Sequence, residues 1–199
     1  MTMITISNPM VAAAAALGVN SYAVTDRELT TRFREAVERR NLAPFRLGHF
    51  CFEVQLPAIA AINVSRHFSG QTSTWVGGEA SKPLFTGFHR RGKEGDLYHA
   101  DSTDFERRAD MVSGFGDELF TELTAAGVNP TEAREVQPMS TGTTLIASGT
   151  FVDFYELLRS VGPVEANAHP DARAFARNCW THIQSACAPL VQVFEEVGP

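Results

Sequence analysis

The chain is poor in lysine, in cysteine and in long apolar runs, and each shortage closes off a class of function. Of the 17 basic residues only Lys82 and Lys93 are lysine. The positive charge is therefore almost all guanidinium, a planar fork suited to phosphate and carboxylate. Acidic residues outnumber basic ones, 23 to 17, for a formal net charge of −6. That balance disfavours a nucleic-acid polymer as partner, because such binding needs a clustered positive field to release counterions. The three cysteines, Cys51, Cys179 and Cys187, lack C-x-x-C spacing, so neither a disulfide framework nor a zinc site is expected. The six histidines contain no H-x-x-x-H pair, and no metal is expected unless distant segments converge on one. No apolar run approaches the ~18 residues of a membrane span, and no basic segment precedes the alanine run Ala12 to Ala16. A cytoplasmic protein without a membrane anchor is expected. Also missing are the G-x-S-x-G elbow, the G-x-x-x-x-G-K-[ST] phosphate loop and a G-x-G-x-x-G turn after a strand.

What is present suffices for a core. At 199 residues and 44% hydrophobic, one domain over residues 1–199 is expected. Thr25-x-x-Glu28 has capping-box form ahead of Leu29, Phe33, Ala36 and Val37, predicting a helix from about Thr25 to Arg40. Phe50, Phe52, Val54 and Leu56 alternate with Cys51, Glu53 and Gln55, the period of a half-buried strand ended by Pro57. Ala58 to Ser65 then predicts a short buried helix that delivers Arg66 and His67 at its end. Glycines and charges from Val76 to Asp101 predict a loop.

Thr103-x-x-Glu106 opens a predicted helix with Val112, Phe115, Leu119, Phe120 and Leu123 as its apolar face, ended by Gly127. Asn129 and Pro130 start a short helical turn carrying Arg134. Phe151, Phe154, Tyr155 and Leu158 form the inward stripe of a helix from about Thr150 to Arg159. The last predicted helix, Asp171 to Glu196, aligns Ala172, Phe175, Cys179, Ile183, Ala186 and Leu190, with a kink at Pro189. His182 falls near that face and reads as a hydrogen-bonded core histidine rather than a ligand. Two further strands, Thr2 to Ile6 and Thr143 to Ile146, are weakly marked. The fold class is α+β, a mixed sheet flanked by helices.

The cysteines sit on apolar stretches and read as structural, not nucleophilic. Arginines at helix ends remain: Arg66 beside His67, Arg134 and Arg159. There a guanidinium is partly desolvated and able to fork onto an anion. Each taken singly is equally a solvated or dipole-compensating residue. Composition and spacing alone stop at a soluble α+β domain that binds a small anion.

A resemblance goes further. The stretch from Ala43-Pro44-Phe45 through Phe50-x-Phe52-x-Val54-x-x-Pro57 to Arg66-His67 resembles, without a gap, that of flavin-dependent thymidylate synthases. Ala133-Arg134-Glu135-Val136-x-Pro138-Met139-Ser140-Thr141 is similar to the family's A-R-x-V-L-P-x-S-T segment, and Phe154 to Arg159 to its helix ending in Leu-Arg. Val11 to Tyr22 is similar to its N-terminal helix. The likeness runs over most of the chain.

The resemblance implies C5 methylation of a uracil nucleotide, UMP or dUMP. Methylenetetrahydrofolate would be the carbon donor, reduced FAD the hydride donor and NADPH a cosubstrate, in a homotetramer with shared active sites. By position, Arg66, His67, Phe68, Ser148 and Phe154 would face FAD. Arg134, Asn63, Glu79, Ser81 and Lys82 would bind the nucleotide, and Arg159 would face the uracil ring as the catalytic residue. A guanidinium there favours negative charge on the ring and an electron-rich C5.

The chain departs from the family's R-H-R-x-x-S-x-N-E-x-S-x-R-Y signature. Its second arginine is Phe68 here, and Glu79-Ala80-Ser81-Lys82 replaces E-x-S-x-R only across an insertion. Where the family carries N-x-R and a flavin-facing Asn, this chain has Ser148, Thr150 and Phe154. An altered signature fits the branch that methylates UMP in nucleoside-antibiotic pathways such as polyoxin assembly. It leaves open a catalytically degenerate flavin- and nucleotide-binding module, and a flavin oxidoreductase or a methylase of another pyrimidine.

Overall fold

The computed structural model describes residues 2–5, 8–75, 89–91, 97–99, 103–163 and 168–198, with side chains over 8–74, 107–163 and 168–198. Its centre is a four-stranded antiparallel sheet in the order β1-β2-β6-β3. These strands are β1 (Thr2–Thr5), β2 (His49–Pro57), β3 (Gln71–Trp75) and β6 (Gly142–Thr150). The longest pairing runs from His49 opposite Thr150 to Pro57 opposite Gly142. The alternation of β2 is that expected of the sequence: Phe50, Phe52 and Leu56 are buried. They share one face with Leu145 and Ala147 of β6. The other face carries Cys51, Glu53, Gln55, Ile146 and Ser148.

Helices α6 (Phe151–Val161) and α7 (Pro170–Ala186) pack on the first face, against Phe50 and Phe52. After β2 the chain turns at Pro57 into α3 (Ala58–His67), and after β6 it turns at Thr150 into α6. Thr150 and Asp153 cap α6 reciprocally, satisfying N–H groups that a helix start leaves unpaired. The same device starts α2 (Asp26–Glu38), with Thr25 and Glu28. Asn8 caps α1 (Pro9–Ala16), accepting from the N–H groups of Met10 and Val11. Aromatic rings join these layers. Phe194 meets Phe45, Phe151 and Tyr155 at centroid distances of 5.2, 4.8 and 5.2 Å, and Tyr155 Oη donates to its carbonyl. Each such pair adds about 0.5–1.5 kcal/mol beyond the area it buries.

Several expectations are corrected. The C-terminal helix is two helices, α7 (Pro170–Ala186) and α8 (Ala188–Val197), parted at Cys187. Pro189 lacks the N–H that a continuous helix would need, whereas at the start of α8 that lack costs nothing. His182 is exposed, at the flank of a face formed by Phe175, Cys179, Trp180 and Ile183, with its ring 6.3 Å from Phe52. Within the expected loop, β4 (His89–Arg91) pairs with β5 (Leu97–His99). Strands of three residues are too short to show alternation.

Of the apolar face predicted for the long helix α4 (Thr103–Ala125), only Phe120 and Leu123 are half-buried. Ser113 is buried, whereas Val112, Phe115 and Leu119 are exposed. Contact runs through small and polar groups: Ser113 Oγ lies 3.0 Å from Ser140 Oγ, and Gln137 Nε2 donates to Asp117. Gly116 permits the approach, since a Cβ there would stand 2.8 Å from Pro138 Cδ. The segment held in this way contains α5 (Pro130–Ala133) and the 3-10 turn Arg134–Val136. Among the described residues no helix is long and apolar enough to cross a membrane.

Candidate functional site

The last turn of α3 presents Arg66 and His67 to solvent, where positive charge complements the helix dipole. The next residue turns inward. Phe68 is 7% exposed and lies 4.7 Å from the ring of Phe154, itself 1% exposed. Phe154 in turn packs on Phe50 and Phe52 of the sheet. Gly149 makes room, since a Cβ there would stand 2.7 Å from Phe68 Cζ. Both aromatics assigned to a flavin are therefore core side chains, occupied by each other.

Ser69 follows and starts a polar clasp. Its Oγ donates to Asp153 Oδ1 at 2.9 Å and to Glu156 Oε2 at 3.2 Å. Arg46 approaches the same carboxylates at 3.7 and 3.6 Å. Burial, the largest single influence, pushes the Asp153 carboxyl up, and the N–H and hydroxyl of Thr150 pull it down. With Ser69 and the Arg46 charge these bonds hold the group below the usual carboxylate value. The clasp ties the end of α3 to the start of α6. Of its members only Asp153 left a signal in the sequence, the capping pattern Thr150-x-x-Asp153.

Arg159 lies six residues beyond Asp153, about 9 Å along the helix by its rise. It is exposed in the last turn of α6, with its guanidinium carbon 5.9 Å from the Tyr155 ring centroid. Arg134 is exposed at the start of its 3-10 turn. Its segment enters beside the start of α3, where the N–H groups of Ile59 and Ala58 donate to the carbonyls of Met139 and Thr141. The segment that follows Arg134 thus meets the start of α3, whereas Arg66 and His67 lie at its other end, where Ser69 joins the start of α6. Asn63 is half-buried, its Oδ1 accepting from the His169 N–H at 3.3 Å.

Ser148 occupies the outer sheet face, opposite Cys51 and Gln71, whereas Phe154 packs on the inner face. One flavin on one chain cannot touch both. Glu79, Ser81 and Lys82 lie outside the described residues. Two surface grooves of about 640 and 530 Å³ run along α2, lined among others by Arg27 and Thr31, and border none of the predicted site residues. Among the described residues no three His, Cys, Asp or Glu side chains converge as a metal set.

The fold is a known one. It is similar over almost its whole length to solved α+β structures. One is the UMP/dUMP methylase PolB from Streptomyces cacaoi bound with 5-Br dUMP: TM-score 0.73, 18% identity, covering 99% of this chain and 95% of that one. The same methylase bound with 5-Br UMP gives a TM-score of 0.75 at 17% identity, with 99% and 94% covered. At this identity the likeness is one of fold. No protein-family model matches the chain, and no curated protein matches it by sequence.

Proposed function

We propose that the chain methylates C5 of a uracil nucleotide, UMP or dUMP, with methylenetetrahydrofolate as carbon donor and reduced FAD as hydride donor. The observation that carries the reading is the fold, matched along nearly the full length of a protein described as a UMP/dUMP methylase. Supporting it, Arg134 and Arg159 are both exposed, each at the end of a helical element. On this reading Arg134 forks onto the nucleotide phosphate and Arg159 stabilises negative charge on the ring. The flavin, when bound, supplies the hydride, with NADPH as its reductant.

Arg66 and His67 fit an anionic cofactor: they are accessible donors at a helix end. Phe68 and Phe154 do not fit, and no role toward a flavin is assigned to them. With Ser148 on the opposite sheet face, the reading is best served by an assembly of several copies, a homotetramer by resemblance, in which neighbours close the site. A cytoplasmic setting with its reduced folates suits this chemistry.

The test is direct. Purified protein should be yellow and, supplied with NADPH and methylenetetrahydrofolate, should add one methyl mass to UMP or dUMP. The buried Phe68 in place of the signature arginine favours one second reading, a binding module without turnover. Protein that binds nucleotide yet yields no methylated product supports that reading and overturns the first.

A further inference from the structure

Tyr155 stands where α6, α7 and α8 meet. It is 8% exposed, and its ring lies 5.2 Å from Phe194 of α8 and 5.6 Å from Trp180 of α7. Its hydroxyl donates to the Phe194 carbonyl at 3.2 Å. Packing thus sets the plane of the ring, and the hydrogen bond sets its tip. One turn further along α6 the Arg159 guanidinium carbon lies over this ring, 5.9 Å from its centroid. That is within the ~6 Å over which an aromatic face attracts a cation.

How Arg159 is held decides what it can still bind. Among the described residues no carboxylate pairs with it. Arg34 is the contrast, with its guanidinium engaged by Glu196. A carboxylate takes up guanidinium N–H groups and offsets the charge, whereas a π face leaves both to a ligand. An arginine with no anchor at all samples many rotamers, which binding must then freeze. Arg159 is placed without being consumed.

We propose that Tyr155 is the positioning residue of Arg159: its anchored ring holds the guanidinium at the end of α6 with the N–H donors turned to a pyrimidine nucleotide. This rests on the reading that Arg159 faces the uracil ring. Because Phe194 fixes Tyr155, α8 contributes to the site without touching substrate. The effect of the ring passes through Arg159 alone.

Two measurements on the full chain test it. The first needs no ligand: nitrogen-15 relaxation of the arginine Nε–H groups, with the Arg159 signal assigned by its loss in Arg159→Lys. Arg159 should be more ordered than Arg27, which is exposed and whose guanidinium has no partner among the described residues. Tyr155→Leu should bring Arg159 down to the Arg27 level, and Tyr155→Phe should leave it near the parent. Phe151→Leu is the packing control. Phe151 meets Trp180 and Phe194 as Tyr155 does, but stands eight residues from Arg159; its loss should lower stability and leave Arg159 ordered.

The second measurement is kinetic. Tyr155→Leu should lower kcat for UMP or dUMP about two- to fivefold, the strength of an exposed cation–π contact, with the nucleotide KM little changed. Tyr155→Phe and Phe151→Leu should turn over near the parent rate. A parent whose Arg159 is as mobile as Arg27 overturns the proposal, even where Tyr155→Leu does not fold. So does order that survives Tyr155→Leu, an equal loss of order in Phe151→Leu, or an unchanged kcat for Tyr155→Leu in a methylating protein. If the parent does not methylate, the proposed reaction fails, and the relaxation data still decide the role of Tyr155.

Discussion

The ring of Phe68 stands 4.7 Å from that of Phe154, tilted at 46°, and this contact turns the end of α3 into the core just after it has shown Arg66 and His67 to solvent. A position that the resemblance assigned to a cofactor is thereby spent on packing, while its two neighbours stay accessible.

Removing that ring should cost stability in the way other buried aromatics do. Phe68→Ala is expected to lose about 3 kcal/mol, read by urea unfolding. Phe68→Arg, which rewrites the signature, should be destabilised as well, because it buries a guanidinium against Phe154. It should bind no more flavin than the parent. A stable Phe68→Arg protein with raised flavin content would show that the position faces outward.

The clasp around Asp153 gives acid sensitivity of a definite sign. Its carboxyl is held below the unfolded value near 3.9, so its contribution is complete above that value and is lost as pH falls toward the folded one. The stability gap between the parent and Asp153→Asn should be largest near neutral pH and shrink below about pH 4. Unfolding curves across that range, with a gap that stays constant, would contradict the assignment.

Arg134 and Arg159 should separate kinetically if the proposed methylation is correct. Arg134→Ala should raise the KM for nucleotide by roughly tenfold or more, the scale of a lost charge-assisted bond, with flavin content unchanged. Arg159→Ala should leave protein colour and nucleotide binding largely intact while lowering kcat. Equal effects of the two variants on KM alone would remove the distinction between phosphate and ring.

The thiols should sort by burial. Burial pushes Cys187 up to about 11, and Cys179 further still, so both stay protonated at mildly alkaline pH. Only Cys51, half-buried on the outer sheet face, should react quickly with a thiol reagent in the native protein, and all three should react in denaturant. Fast modification of a second thiol without denaturant would mean that α7 or α8 opens readily.

Much of the fold was legible because its signals are local. The alternation of Phe50 to Leu56 announces β2, and Thr25-x-x-Glu28 and Thr103-x-x-Glu106 announce helix starts. Even the weakly marked β1 and β6 are strands. The β4–β5 hairpin was illegible because three-residue strands are defined by pairing partners rather than by a pattern. The inner face of α4 was only partly legible for a related reason: Phe120 and Leu123 are half-buried as expected, whereas Val112, Phe115 and Leu119 are exposed. Periodicity finds the apolar side of a helix, but Gly116 and Ser113 turned the small side toward the neighbour.

The candidate site divides along the same line. Residue order alone determined that guanidinium groups would stand at helix ends, since helix stops and charges are written within a few positions of each other. Only the tertiary structure decided which neighbours share a face. It put Phe68 and Phe154 inside, set Ser148 across the sheet from them, and tied Ser69 to Asp153 over 84 positions of chain. Contacts of that span depend on how the sheet and helices close, because side-chain direction alternates or rotates residue by residue and a single inward turn reassigns what every following group can reach.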